Sequence, residues 1–312
     1  MASDVYCVLR DRFHASHSTQ HSRIIQVNLP TSKPTHFLLQ WLAMKLCEAL
    51  GIRTGDVAAF VGAGGKTTSI WRIQGELAAQ GLRSILTTTT KLMEPVMPPD
   101  GALTLTTRPE AGRIAALLDR APRLALAARR LSELYPWHDD HPVPSRPHKL
   151  DGLPTDTLNE LVAQLPGVTW LVEADGAKGC GLKLPAEHEP VIPTCATTVV
   201  VMAHLDALGQ PIGEKTVHRV ADAVRVLDTP VGTPLTPAMF ARVLTDDTLG
   251  LKGISNRARA VALLTQRGAT LHPDALALAE SLCARYSRVV IAALRADEAV
   301  LKTFEVSETS KV

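Results

Sequence analysis

The chain lacks a surplus of either charge. Its 312 residues carry 33 Lys and Arg against 31 Asp and Glu, a formal net charge of +2. That balance gives no electrostatic ground for binding bulk nucleic acid or an anionic membrane. It also lacks any CxxC pair. Cys7, Cys47, Cys180, Cys195 and Cys283 are scattered and odd in number, which reads as free thiols in a reducing compartment. No apolar run is long enough to span a bilayer; "TTVVVMA" is among the longest. A secretory signal is missing too, because Asp4, Arg10, Asp11 and Arg12 stand where its apolar core would run. There is no internal repeat or low-complexity tract. These absences leave a cytoplasmic protein, with neither nucleic acid nor membrane as partner, as the expectation.

What is present is a hydrophobic content of 46%, enough for one large α/β domain or two modest ones. Residues 1–36 are polar and histidine-rich and read as an extension, with a strand around Arg23–Val27. His14, His17 and His21 would share a helical face; without an acidic or thiol partner they read as a solvated arm rather than a metal site. From residue 37 to 312 the pattern is regular. "FLLQWLAMKLCEAL" has helical spacing and stops at Gly51. Strands are expected at 57–61, 84–89, 102–106, 169–174, 197–203, 259–265 and 288–293, and helices at 67–80, 109–119, 122–134, 155–165, 236–244 and 273–286. Nearly continuous apolar strands imply burial on both faces. Their alternation with helices predicts a three-layer α/β fold, a mostly parallel sheet of about seven strands with helices on each side. Residues 135–154 form a long excursion rich in Pro, His and Asp, where His138, Asp139, Asp140 and His141 invite a metal but lack a further ligand.

The densest motif is "VAAFVGAGGKTTSIW", Val57 to Trp71. A buried-type strand leads into Gly62, Ala63, Gly64, Gly65, Lys66, Thr67 and Thr68, and a helix follows. That context suits a phosphate-binding loop. Glycines let backbone N–H groups converge on one point, and the helix start adds partial positive charge. Lys66 would reach phosphate oxygens, and Thr67 would place its hydroxyl on Mg²⁺. The loop is trimmed: only two residues separate Gly62 from Gly65-Lys66.

A second motif, "TWLVEADGAKGCGLKLPAEHEPVIP", puts Glu173 and Asp175 at the carboxyl end of a strand, the edge where parallel α/β sheets bind ligands. Asp175 would hold Mg²⁺ with Thr67, and Glu173 would help orient water, so Lys66, Glu173 and Asp175 form the candidate catalytic set. Lys178, Lys183, Glu187, His188 and Glu189 follow among glycines and prolines, as a switch or substrate segment. Cys180 within it reads as incidental. "TTTTK" ends the second strand; Thr89, Thr90 and Lys91 would lie beside the glycine loop if consecutive strands are neighbours.

"FVGAGGKTT", "LTTTTK", "LVEADGAKG" and "LKLPAEHEPVIP" in this order, with "LDALGQPIGEKTVHR" downstream, resemble the YqeC family. The resemblance implies a fold like that of P-loop NTPases and an accessory role near selenium-dependent molybdenum hydroxylases. It carries His218 and Arg219 as family features of unassigned role. The short loop is also similar to those of the Mur ligases and folylpolyglutamate synthases. The run Thr265, Gln266, Arg267, Gly268 replaces a guanine-reading Asn-Lys-x-Asp, which favours ATP or no strong base preference. Three functions are consistent with these motifs. One is a maturation factor that binds Mg-NTP, hydrolyses it slowly and serves a client hydroxylase, possible as a homodimer. Another is an ATP-dependent small-molecule ligase or transferase. The third is a non-catalytic holder of a molybdopterin nucleotide.

Overall fold

Val57–Val61 is apolar at every position, so the strand it forms must be covered on both sides. The computed structural model describes residues 6–10, 44–134, 148–297 and 299–307. Its elements begin with β1 (Tyr6–Arg10), α1 (Leu46–Ala49), β2 (Val57–Gly62), α2 (Lys66–Ala78), β3 (Ser84–Thr88), β4 (Lys91–Met93), β5 (Gly101–Leu105) and α3 (Ala111–Leu118). They continue with β6 (Arg123–Ala127), β7 (Arg129–Leu134), β8 (His148–Asp151), α4 (Thr155–Gln164), β9 (Thr169–Glu173), β10 (Leu182–Lys183) and β11 (Thr198–His204). The last are β12 (Val217–His218), α5 (Val220–Leu227), α6 (Pro237–Thr245), β13 (Arg259–Thr265), α7 (Ala275–Leu282), β14 (Arg288–Ala292) and β15 (Val300–Ser307).

Ten of these strands make one sheet in the order β1-β15-β14-β13-β11-β2-β9-β3-β6-β5. From β14 to β5 every pairing is parallel, and β15 runs against both its neighbours, β14 and β1. Side chains alternate between two cores. Val57, Ala59 and Val61 face the side covered by α3 to α7, while Ala58 and Phe60 face α1 and α2. Helices on both faces of a mostly parallel sheet are the expected α/β class. All seven expected strands are there, and β1, β6 and β15 bring the sheet to ten.

Two expectations are corrected. Residues 122–134 are not a helix but β6 and β7. Their Ala, Leu and Arg favour helix, yet Leu124–Ala127 is buried between β3 and β5, and burial in a sheet overrides that weak preference. The second correction is order: β3 is not next to β2, because β9 is inserted between them. The strand expected at Arg23–Val27, the set His14, His17 and His21, the set His138, Asp139, Asp140 and His141, and residues 37–43 of the first helix lie outside the described residues. No helix among the described residues is long and apolar enough to cross a membrane.

Candidate functional site

β2 ends in mid-sheet, and its loop presses against the end of β11. Gly62, Gly64 and Gly65 have φ of +87°, +93° and +91°, a region L side chains rarely adopt. Space is lacking as well. A Cβ on Gly62 would stand 2.4 Å from the Met202 carbonyl oxygen, and one on Gly64 would stand 2.8 Å from the His204 nitrogen. The loop is tied down by the Ala63 N–H, which donates to the Met202 carbonyl at 2.9 Å, and by the Thr265 hydroxyl, which donates to the Gly64 carbonyl at 2.6 Å. Gly65 precedes α2 and supplies no side-chain cap, so the first N–H groups of that helix remain available to an anion.

Both carboxylates from the end of β9 converge on this loop. Asp175 is buried; its Oδ2 accepts the Gly62 N–H at 3.0 Å, and its Oδ1 lies 3.0 Å from the Lys66 ammonium. That Oδ1 contact is an ion pair by distance, but no well-directed hydrogen bond reaches the atom. Lys66 folds back to donate to the Gly62 carbonyl at 2.5 Å. The Thr67 hydroxyl donates to Glu173 Oε2 at 2.7 Å. Burial pushes the Glu173 carboxyl up from its usual range, against the pull of Lys66 and of the Thr67 hydroxyl; Asp175 adds to the rise.

A second tier of charge lies behind Asp175. The buried Lys183 ammonium is 2.8 Å from Asp175 Oδ2 and 3.0 Å from Glu189 Oε2, and donates to the Gly176 carbonyl at 2.6 Å. Arg219 reaches Glu189 at 2.7 Å and donates to the Leu184 carbonyl at 2.7 Å. The short parallel pair β10 and β12 sets Lys183 opposite His218. Burial, with Arg219, Lys183 and Lys178 nearby, lowers the His218 pKa to about 4, against the opposing pull of Glu189.

The sequence-selected residues therefore divide. Gly62, Ala63, Gly64, Gly65, Lys66, Thr67, Glu173 and Asp175 form one cluster, with Thr68 exposed on the first turn of α2. Lys183, Glu189, His218 and Arg219 form the tier behind it. Thr89 meets the end of β9 through its N–H, which donates to the Glu173 carbonyl at 3.3 Å, while its hydroxyl donates to the Val191 carbonyl and the Thr90 N–H donates to the Thr88 hydroxyl. Lys91, Lys178, Glu187 and His188 are exposed. Cys180 is no activated thiol, because burial raises its pKa and its Sγ–H donates to the Glu214 carbonyl. Among the described residues no group of three or more His, Cys, Asp or Glu is placed to hold a metal unaided. Two contributors carried no clear mark in the sequence. Lys252 donates to the carbonyls of Ala186 and Glu187, with no sequence signal to single it out. Gly152 packs where a Cβ would stand 2.5 Å from the Thr88 carbonyl oxygen; its place in "LDGLP" is the one hint.

Among known proteins, the chain is 29% identical over 163 residues to the uncharacterized protein YqeC of Escherichia coli (strain K12). That match covers 52% of this chain and 57% of the relative's length. No solved structure matches the chain. The family model described as YqeC protein matches residues 58–221, a span that holds the glycine loop, both carboxylates and the charged tier behind them. A match over more than half its length makes this chain a member of the YqeC family.

Proposed function

We propose that the protein binds a nucleoside triphosphate, with ATP favoured over GTP, together with Mg²⁺ at the Gly62–Thr67 loop. In this reading it acts as an accessory factor that matures molybdenum-dependent hydroxylases or loads their cofactor or selenium, with slow NTP hydrolysis. The observation that carries the nucleotide reading is the convergence of Lys66, Thr67, Glu173 and Asp175 on an uncapped helix start. Mg²⁺ fits the donor set. The Thr67 hydroxyl donates its hydrogen bond to Glu173, which leaves the Thr67 oxygen lone pairs for a cation, and buried Asp175 Oδ1 lacks a directed donor. With no all-protein cage among the described residues, a metal shared with phosphate oxygens suits Mg²⁺. Bound there, the ion would neutralise phosphate charge.

The protein's own groups would do the rest. Lys66 would exchange the Gly62 carbonyl for phosphate oxygens. The backbone N–H groups of the loop would cradle them, and Glu173 would hold Thr67 in place. Base choice rests on the turn after β13. There the buried Gln266 side-chain amide is spent on the Gly268 and Thr270 carbonyls, and Arg267 pairs at 3.3 Å with Asp206 from the turn after β11. The turn Gln266–Gly268 itself offers no carboxylate to guanine, which supports ATP. The ligase alternative would line an acceptor pocket with Lys178, Lys183, His188 and His218; that Lys183 is buried and bonded three ways counts against it. The client role rests on the family resemblance alone.

Titration with fluorescent ATP and GTP analogues, with and without Mg²⁺, tests the reading. Lys66→Ala should weaken ATP binding by about 10- to 100-fold, the loss of charge-assisted hydrogen bonds. Unchanged binding would overturn it. Mass spectrometry of the purified protein should find ADP or ATP, and co-purified hydroxylase would support the client.

A further inference from the structure

The ion chain that starts at Asp175 does not end in the candidate site. Lys183 sits between two carboxylates, Asp175 at 2.8 Å and Glu189 at 3.0 Å. Each carboxylate has another cation, Lys66 for Asp175 and Arg219 for Glu189. Glu189 also accepts the Ala186 N–H at 3.3 Å, and Arg219 is bonded to the Leu184 carbonyl. Those contacts bracket the segment whose Ala186 and Glu187 carbonyls Lys252 holds. Charge contacts thus run without a break from the loop-side carboxylate to Leu184–Glu189 and the start of α5. That start is itself constrained: Arg219 caps it with φ of +71°.

A divalent cation on Asp175 would stand close to the Lys183 ammonium inside a site with little water to screen the two. Glu189, already 3.0 Å from the ammonium, can keep it when the contact to Asp175 is given up. We propose that Lys183 is a positioning residue that releases Asp175 and is held by Glu189 alone when metal and nucleotide occupy the loop. The inference rests on the nucleotide reading above. Its consequence is that Leu184–Glu189 reports occupancy. Its first four residues, Leu184 to Glu187, line an open cleft of about 380 Å³ together with Asp222, Arg225 and Lys252, so the report reaches the surface.

The test uses the full chain, with hydrogen exchange and the Mg²⁺ concentration for half-maximal ATP binding as readouts. In the wild type, ATP with Mg²⁺ should change exchange at Leu184–Glu189, and ATP with a chelator should not. Lys183→Met frees Asp175 of a competing cation, so the Mg²⁺ requirement should fall by about tenfold, and Leu184–Glu189 should stop responding. Glu189→Gln removes the carboxylate that keeps the ammonium, so the requirement should rise by a similar factor. Damage to packing would move both variants the same way, and that result would overturn the inference. So would ATP binding in the wild type with no Mg²⁺-linked change at Leu184–Glu189; this outcome leaves the nucleotide reading intact. No ATP binding at all would remove both.

Discussion

Single residues fix the glycine loop in two ways, through conformation and through space, and the two can be separated by substitution. Gly64→Ala meets both a φ of +93° and the backbone of Ala203 and His204. It should cost about 1–3 kcal/mol, read as a lower Tm, and should abolish ATP binding. Gly75→Ala in the middle of α2 meets nothing closer than 3.7 Å and should stabilise by about 0.5–1 kcal/mol. His218 gives a pH signature. Its pKa is lowered to about 4 in the folded protein, so the unfolded chain takes up the proton first. The stability it contributes is complete above the ordinary histidine value of about 6.5 and is lost as pH falls from there through about 4. Between those limits the wild type should lose about 1–2 kcal/mol more than His218→Gln, once screening of a half-buried ring is allowed for. Thermal melts of the two proteins from pH 7 downward, over a range set by the folded and ordinary values, check the sign.

Among the elements, α2 carries the first turn of the site and anchors it to α1 and to the turn after β14. Arg72 donates to the carbonyls of Leu294, Ala296 and Asp297 and pairs with Glu76 at 3.1 Å, whose other oxygen accepts the Cys47 N–H of α1. Arg72→Ala should destabilise by about 2 kcal/mol, measured by denaturant melting, and should raise hydrogen exchange in the turn after β14. The elements were also where the sequence was most and least legible. β2, β9, β11 and β13 could be read because short, continuous apolar runs bounded by turns suit strands buried on both faces. β6 could not, because "LALAARR" carries helix formers and only its neighbours β3 and β5 make it a strand. The loop glycines, Lys66 and the two carboxylates were legible from their spacing around a strand and a helix. The link from Lys183 through Glu189 to Arg219 was not, since it depends on β10 pairing with β12, each of two residues, too short for any periodic signal.

At the scale of the whole molecule, the sheet order places the glycine loop between strands that arrive later in the chain. β9 flanks β2 on one side and β11 on the other, with β13 beyond it. Gly62 bonds Asp175 across 113 positions, and Gly64 bonds Thr265 across 201. During synthesis the loop therefore leaves the ribosome long before the groups that shape it exist. A nascent chain carries the glycines and Lys66 but not the surface they must fold against. A chain stopped after residue 195 retains the whole motif yet lacks β11 and β13, and on the proposed function should fail to bind ATP in the titration described for the full chain. If the proposed site binds nucleotide, binding would then report that β11 and β13 have been made and folded, and ligand would stabilise such molecules while leaving shorter ones to proteolysis.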